Sequence, residues 1–274
     1  MAVPELPVPT WFVGCGNMGG AIVEGWRTAG IDLSSAVVIR PSGTPVPGMR
    51  TVQKFDDAGL APQLVVLAFK PQKLGEVGPA LNPWLTSQST VVSLLAGVEV
   101  QSLRERFSNA GKIVRAMPNL PVAIRRGVTA LYGEPLDPDS QRMLGDLFAA
   151  LGFAMWAADE AKFAAIGAVA GAGPAYVARF IGALSDAGVE RGLTREIAGT
   201  IALETVLGTA WMQATTGEDA ADVARRVASP NGTTEAGLAV LDPELRDLVI
   251  RTIEAAARRG AALAAEAKSG SLAE

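Results

Sequence analysis

The stretch Thr10-Trp-Phe-Val-Gly14-Cys-Gly16-Asn-Met-Gly19-Gly20-Ala-Ile-Val23 constrains this chain more than any other. An apolar run enters it, three glycines at G-x-G-x-x-G spacing turn it, and a helix-compatible run leaves it. The expected order is strand, tight turn, helix N-terminus. In such a unit the first glycine permits the turn, the second lets a pyrophosphate approach the backbone, and the third lets helix and strand pack closely. The exposed N–H groups and the positive end of the helix dipole then face the anion. In a chain with 30 glycines the spacing also arises by chance, and a Gly-rich turn that binds nothing has the same pattern. What favours a dinucleotide site is the position of these glycines between an apolar strand and a helix.

The rest of the 274 residues narrows the chemistry. Hydrophobic residues are 49% of the chain, enough for a sizeable core, and 24 Lys and Arg against 28 Asp and Glu leave a net charge of −4. That balance argues against a nucleic-acid or anionic-membrane surface. The single cysteine, Cys15, excludes an internal disulfide and fits a reducing compartment. The opening Met1-Ala-Val-Pro-Glu-Leu-Pro7 lacks the basic region and apolar core of a secretory leader. The apolar segments carry glycine, proline or charge, so none is expected to span a membrane, and the expected setting is soluble and cytoplasmic. There is no histidine. A His-ligated metal site, a Ser-His-Asp triad and a histidine general acid are therefore excluded, and no metal is expected. Cys15 has no histidine partner either, and reads as a small residue packed in the turn.

Further apolar runs follow the first. Ser35–Arg40, Leu64–Phe69, Val91–Leu95, Lys112–Met117 and Gly127–Tyr132 read as strands, and Asp137–Leu151 reads as an amphipathic helix with Met143, Leu144, Leu147, Phe148 and Leu151 on one face. Runs apolar without alternation suit strands buried on both faces of a parallel sheet. The expected fold is α/β, an N-terminal Rossmann-like doubly wound sheet over residues 1–157, followed by an all-helical region over 158–274. Strand ends face the ligand in this architecture. Lys70-Pro71 stops one strand and Ala96-Gly97 and Pro118-Asn119 stop two others. The second strand ends in Arg40, with Ser42 just beyond Pro41, where an NAD site usually places an acid. A cation with a hydroxyl suits a 2′-phosphate, so NADPH is the preferred cofactor and NADH the second; a solvated arginine at a strand end is the competing reading.

From Asp159 onward the chain is alanine-rich, and helices are expected over roughly 160–190, 195–217 and 243–268, with Pro174 interrupting the first. Long helices rich in apolar and small residues commonly complete their core with a second copy, so a homodimer is expected. Between the last two helices lies Ser229-Pro-Asn231-Gly232-Thr233-Thr234-Glu235, a turn delivering a helix N-terminus. Its hydroxyls and N–H groups suit a carboxylate, and a plain helix cap uses the same residues.

Several motifs together resemble the pyrroline-5-carboxylate reductase family. They are Phe12-Val-Gly-Cys-Gly-Asn-Met-Gly-Gly-Ala21, Ala68-Phe-Lys-Pro-Gln72, Arg115-Ala-Met-Pro-Asn119, Gly171-Ala-Gly-Pro-Ala-Tyr176, Asp186-Ala-Gly-Val189 with Gly192-Leu193, Thr205-Val-Leu-Gly208 and Ser229–Leu238. The resemblance implies reduction of 1-pyrroline-5-carboxylate to L-proline, the last step of proline biosynthesis. It implies a dinucleotide held along Gly14, Cys15, Gly16, Asn17, Met18, Gly19, Arg40, Ser42, Ala68, Phe69, Lys70, Pro71, Leu95, Ala96, Gly97 and Asn119. It further implies that Asn231, Gly232 and Thr233 grip the substrate carboxylate and that the Thr234 hydroxyl serves the ring nitrogen. Glu160 matches an acidic family position and is expected to stabilise the cationic ring; a helix N-terminal carboxylate is the alternative. In the family the helical region forms an interlocked dimer, commonly assembled into a ring of dimers. The chain departs from the family at Ala170 and Ala172, which stand where hydroxyls are usual, and at Asn231, where a glycine is usual. The lost hydroxyls keep open an imine reductase for another cyclic imine; a non-catalytic dinucleotide-binding relative is a second alternative, against which the glycines, Lys70-Pro71 and Thr234 argue.

Overall fold

The computed structural model describes residues 3–269, so Met1 and Ala2 of the leader expectation lie outside the described residues. Its centre is an eight-stranded sheet built from β1 (Thr10–Val13), β2 (Val37–Ile39), β3 (Arg50–Val52), β4 (Leu64–Leu67), β5 (Thr90–Ser93), β6 (Lys112–Pro118), β7 (Gly127–Gly133) and β8 (Gly152–Trp156). The spatial order is β3-β2-β1-β4-β5-β6-β7-β8. Every neighbouring pair is parallel except β6 and β7, which run antiparallel. The chain leaves β1 toward β2 and β3, then crosses back to place β4 on the other side of β1. That reversal opens a crevice at the carboxyl ends of β1 and β4, the place where doubly wound sheets bind ligands.

The unalternating apolar runs have a direct cause: the sheet is buried on both faces. On one face Phe12, Val38, Val66, Val92 and Val114 pack with α1 (Asn17–Thr28) and α4 (Pro138–Ala149). On the other, Trp11, Val37, Val65, Val91 and Ile113 pack with α2 (Leu74–Leu81) and α3 (Val100–Arg106). Trp26 on α1 locks the first layer, donating its indole N–H to the Leu147 carbonyl at 2.7 Å and meeting the Phe12 ring edge-on at 5.8 Å between centroids.

A polar latch closes the strand end of β7. Arg104 of α3 makes a forked pair with Glu134, at 2.8 and 2.5 Å, and Glu134 also accepts the Ile113 N–H at 2.9 Å. Burial pushes the Glu134 carboxyl up, but the Arg104 fork and the Ile113 N–H outweigh it and hold the group below its ordinary value of 4.5. A carboxyl depressed in the folded state stabilises the protein above its unfolded value and loses that contribution as pH falls through the folded one. Thermal denaturation followed from pH 6 to pH 3 is therefore expected to show a fall in Tm below about pH 4.5 that is shallower in Glu134→Gln.

Beyond Trp156 the chain is helical: α5 (Glu160–Ile166), a π-helical turn (Gly167–Gly171), α6 (Gly173–Glu190), α7 (Arg195–Thr216), α8 (Ala220–Val227) and α9 (Thr233–Ser269). Residues up to Ala172 and from Ala256 on form one compact unit, and Gly173–Ala255 form a second. The interruption expected at Pro174 takes the form of the π-helical turn, with Pro174 in the first turn of α6 where its missing N–H is not needed. The last helix starts ten residues earlier than expected and carries Pro243 inside it, and α8 was not anticipated. Among the described residues one helical run, Glu160–Glu190, is long and apolar enough by composition to cross a membrane. In the second unit Phe180, Leu184, Ile197, Ile201, Leu207, Trp211, Leu248 and Ile250 are exposed, so the helices leave apolar faces uncovered by their own chain.

Candidate functional site

The crevice is a cleft of about 630 Å³ lined by Gly14, Cys15, Gly16, Asn17, Met18, Gly19, Arg40, Pro41, Ser42, Ala68, Phe69, Lys70, Pro71, Leu94 and Ala96. Each strand contributes its end for a local reason. Gly14 turns the chain out of β1 at φ +76°, and a Cβ there would sit 2.8 Å from the Ala68 carbonyl oxygen. Its N–H donates to the Ile39 carbonyl at 2.8 Å, tying the turn to β2. A Cβ on Gly19 would come within 2.9 Å of Ala68 Cβ, so this glycine permits the close seat of α1 on β4. Gly16 lies between them and lines the cleft; a Cβ there would meet nothing nearer than the Ala68 carbonyl oxygen at 4.0 Å. No side chain caps α1 and its first turn holds no acid. Its leading N–H groups are the orphan donors of a helix start, held in a cradle suited to an anion.

At the far end Arg40 follows β2, its N–H on the Val52 carbonyl at 2.9 Å. Ser42 shapes the next turn, its Oγ accepting the Thr44 N–H at 3.3 Å and the Thr44 hydroxyl at 3.0 Å. Burial pushes the Cys15 thiol up and the Arg40 charge opposes it, so Cys15 stays a protonated thiol in the wall.

Of the residues singled out for the dinucleotide, Leu95, Gly97 and Asn119 do not line the cleft. The Leu95 side chain is buried in the core beneath it. Gly97, at φ +76°, lies against Leu263 of α9, whose carbonyl carbon a Cβ would approach to 3.0 Å. Asn119 pins three segments, accepting the Val128 N–H at 2.8 Å and donating to the Ala170 carbonyl at 3.0 Å. Pro41 and Leu94 do line it and were not singled out, although both adjoin residues that were.

Glu160 begins α5 behind the helix cap of Asp159, which accepts the Lys162 N–H at 2.7 Å. One of its oxygens pairs with Arg115 Nη1 and the other accepts the Val100 N–H at 3.3 Å. Arg115, on β6, is 6% exposed and lies over the Phe163 ring, 4.3 Å from its centroid. Burial pushes its guanidinium down from the ordinary arginine value, and Glu160 opposes that. The sign of this buried site was visible as a lone charge within the apolar run of β6; its partner, 45 residues on, was not.

The loop before α9 belongs to the second unit. Asn231 takes the left-handed conformation at φ 57°, which asparagine tolerates better than most residues. The Gly232 N–H closes the turn on the Ser229 carbonyl at 2.9 Å, and the Asn231 N–H donates to a Glu235 carboxylate oxygen at 2.7 Å. Thr233 and Thr234 open α9, Thr234 half-buried and Thr233 exposed. A turn, a left-handed residue and a helix start thus present backbone donors and two hydroxyls together, and a carboxylate already occupies one donor.

Comparison with known proteins agrees with this geometry. The family described as pyrroline-5-carboxylate reductase dimerisation matches residues 160–263. The pyrroline-5-carboxylate reductase of Pseudomonas aeruginosa is 35% identical over 261 residues, 92% of this chain and 96% of that one. That of Synechocystis is 40% identical over 74% of this chain and 76% of its own length. Among solved structures, pyrroline carboxylate reductase of Plasmodium falciparum with NADP bound has a TM-score of 0.85 at 27% identity, covering 94% of this chain and 98% of that one. The fold, the cleft and the full-length similarity lead to one conclusion: this chain belongs to the pyrroline-5-carboxylate reductase family.

Proposed function

We propose that this protein reduces 1-pyrroline-5-carboxylate to L-proline with NAD(P)H, preferring NADPH. What supports the reading is that one chain holds both an uncapped helix start behind the Gly14–Gly19 turn and a loop, Ser229–Glu235, whose Asn231 N–H already holds a carboxylate. The cradle fits a dinucleotide: at Gly16 a Cβ would meet nothing nearer than 4.0 Å, so the backbone is open where it lines the cleft, and the uncapped start of α1 at Asn17–Gly19 lines the same cleft. When bound, the reduced nicotinamide supplies the hydride that adds to the C5 imine carbon of the substrate. Gly14–Gly19 hold the pyrophosphate, Arg40 and Ser42 the 2′-phosphate, and Ala68–Pro71 with Ala96 the remaining wall.

In the helical unit, the backbone N–H groups of Asn231 and Thr233 receive the substrate carboxylate, while that of Gly232 keeps the turn closed on the Ser229 carbonyl. The hydrogen bond that the Asn231 N–H already donates to the Glu235 carboxylate supports this reading. Thr234 Oγ hydrogen-bonds the ring nitrogen. An imine nitrogen is basic enough to arrive protonated, and the product is an amine rather than an alkoxide, so no histidine acid is required. Catalysis then comes mostly from orientation and from keeping water away from the reacting carbon. The exposed apolar faces of the helical unit are covered by a second copy, and a ring of dimers and a cytoplasmic setting belong to the same proposal.

The test is NADPH oxidation dependent on the imine, with proline identified as product; absence of proline refutes the reading. Cofactor choice has its own check. Arg40→Ala is expected to lower the NADPH-to-NADH ratio of kcat/KM by about tenfold or more, the worth of a charged hydrogen bond to phosphate. Equal use of both cofactors by the unaltered protein would contradict the NADPH preference.

A further inference from the structure

We infer that Arg115 and Glu160 are positioning residues for the dinucleotide cleft, acting through the backbone N–H of Val100, which opens α3 at the end of the loop that carries Leu94 and Ala96. The inference rests on the cleft being the dinucleotide site.

The loop between β5 and α3 forms part of the cleft wall, and it is held from behind. At its front, Ser93 Oγ accepts the Leu95 N–H at 3.2 Å. In its middle, Gly97 fits beneath Leu263 of α9. At its rear the chain enters α3 through Glu99, whose side chain makes no capping hydrogen bond. The first N–H of that helix has no partner within the helix. It is taken instead by Glu160, from the start of the helical region 60 residues later. Arg115 orients that carboxylate by pairing with its second oxygen, and is itself held by the face of the Phe163 ring.

Stability alone is a poor reason for this arrangement. A buried cation on a sheet strand costs desolvation that its ion pair only partly offsets, and apolar replacements of such pairs are often neutral or stabilising. A device that fixes one carboxylate oxygen on one N–H gives geometry instead. What that N–H sets is where α3 begins, and hence where the Leu94–Ala96 wall stands.

Position 100 allows the donor to be removed cleanly. Val100 is the first residue of α3, where proline is tolerated because its absent N–H has no intrahelical role. Glu99 already has the extended backbone required before proline, with φ −77° and ψ 162°. Val100→Pro thus deletes the N–H that Glu160 accepts, and Val100→Ala gives the baseline for loss of the side chain alone.

NADPH affinity is measured without imine by fluorescence titration, alongside Tm, for the unaltered protein, both Val100 variants, Glu160→Ala and Glu160→Gln. Val100→Pro is expected to bind NADPH about fivefold more weakly than Val100→Ala, the scale of one hydrogen bond, whatever the order of their Tm values. Glu160→Ala is expected to weaken NADPH similarly, and Glu160→Gln, which keeps an oxygen for Val100, by less. Equal affinity of Val100→Pro and Val100→Ala overturns the inference. So does a Glu160→Ala protein that loses only Tm, or one whose sole kinetic change is a higher KM for the imine. An unaltered protein that binds no NADPH defeats the reading of the cleft itself, a failure distinct from this one.

Discussion

Replacing Thr234 by alanine is expected to lower kcat/KM for 1-pyrroline-5-carboxylate by about a hundredfold while leaving NADPH affinity unchanged. Hydrogen-bonding groups that serve a reacting atom contribute on this scale, roughly 10² to 10⁴ in rate. The expectation follows from what else the loop has to offer. Asn231 contributes a backbone donor, which survives side-chain replacement, the Gly232 N–H is committed to the turn, and Thr233 is exposed. Thr234 is the half-buried hydroxyl of the α9 start, and no histidine exists to substitute for it. Serine at 234 restores the hydroxyl and is expected to recover most of the rate, because the Oγ is retained and only a methyl is lost. Steady-state kinetics on both variants checks this. A Thr234→Ala enzyme with unchanged kcat/KM would remove Thr234 from the reaction.

Gly14→Ala is expected to abolish tight dinucleotide binding and to lower Tm by roughly 5–12 °C. Two costs combine. A side chain at φ +76° costs about 1–2 kcal/mol in backbone strain. The new Cβ then lies 2.8 Å from the Ala68 carbonyl oxygen and 3.0 Å from Phe69 Cβ, and both residues line the cleft beside Gly14. Relieving that overlap moves the wall, at a cost of about 1–3 kcal/mol typical of overpacking. Gly20 supplies the contrast. It lies inside α1 with nothing within 4 Å of a built Cβ, so Gly20→Ala is expected to raise stability by about 0.5–1 kcal/mol, the helix preference for alanine. Differential scanning fluorimetry with and without NADPH separates the two. Comparable NADPH binding by Gly14→Ala and the unaltered protein would mean that the glycine turn is not the cradle.

These two residues mark what could be read from the amino-acid order and what could not. The Gly14 turn and the strands β1, β4, β5 and β6 were legible because a strand buried on both faces needs an unbroken apolar run, and such a run ending in Gly or Lys-Pro has few alternatives. The edge strands β3 and β8 were not. Arg50–Val52 runs from exposed to half-buried, and in Gly152–Trp156 half-buried and exposed residues alternate, so neither carries the continuous signal of the centre. The start of α9 was misplaced for a related reason. Pro243 has the pattern of a first helical residue after Asp242, yet the helix runs through it from Thr233, so the real start is the turn closed by Gly232. In the candidate site, motifs named positions without naming partners. The contact of Glu160 with Val100, 60 residues apart, is a fact of three-dimensional proximity. Asn119, chosen as a cofactor contact, has both ends of its amide committed to backbone groups, which only the folded chain displays.

The most direct measurement follows the hydride itself. The purified protein is incubated with 1-pyrroline-5-carboxylate and NADPH carrying deuterium in both positions at C4, and the proline formed is examined by mass spectrometry and NMR. The expected product is L-proline with one deuterium, located at C5, formed at a rate that Thr234→Ala reduces. Proline without deuterium at C5, or no proline at all while NADPH is bound, would contradict hydride transfer to the imine carbon by this protein.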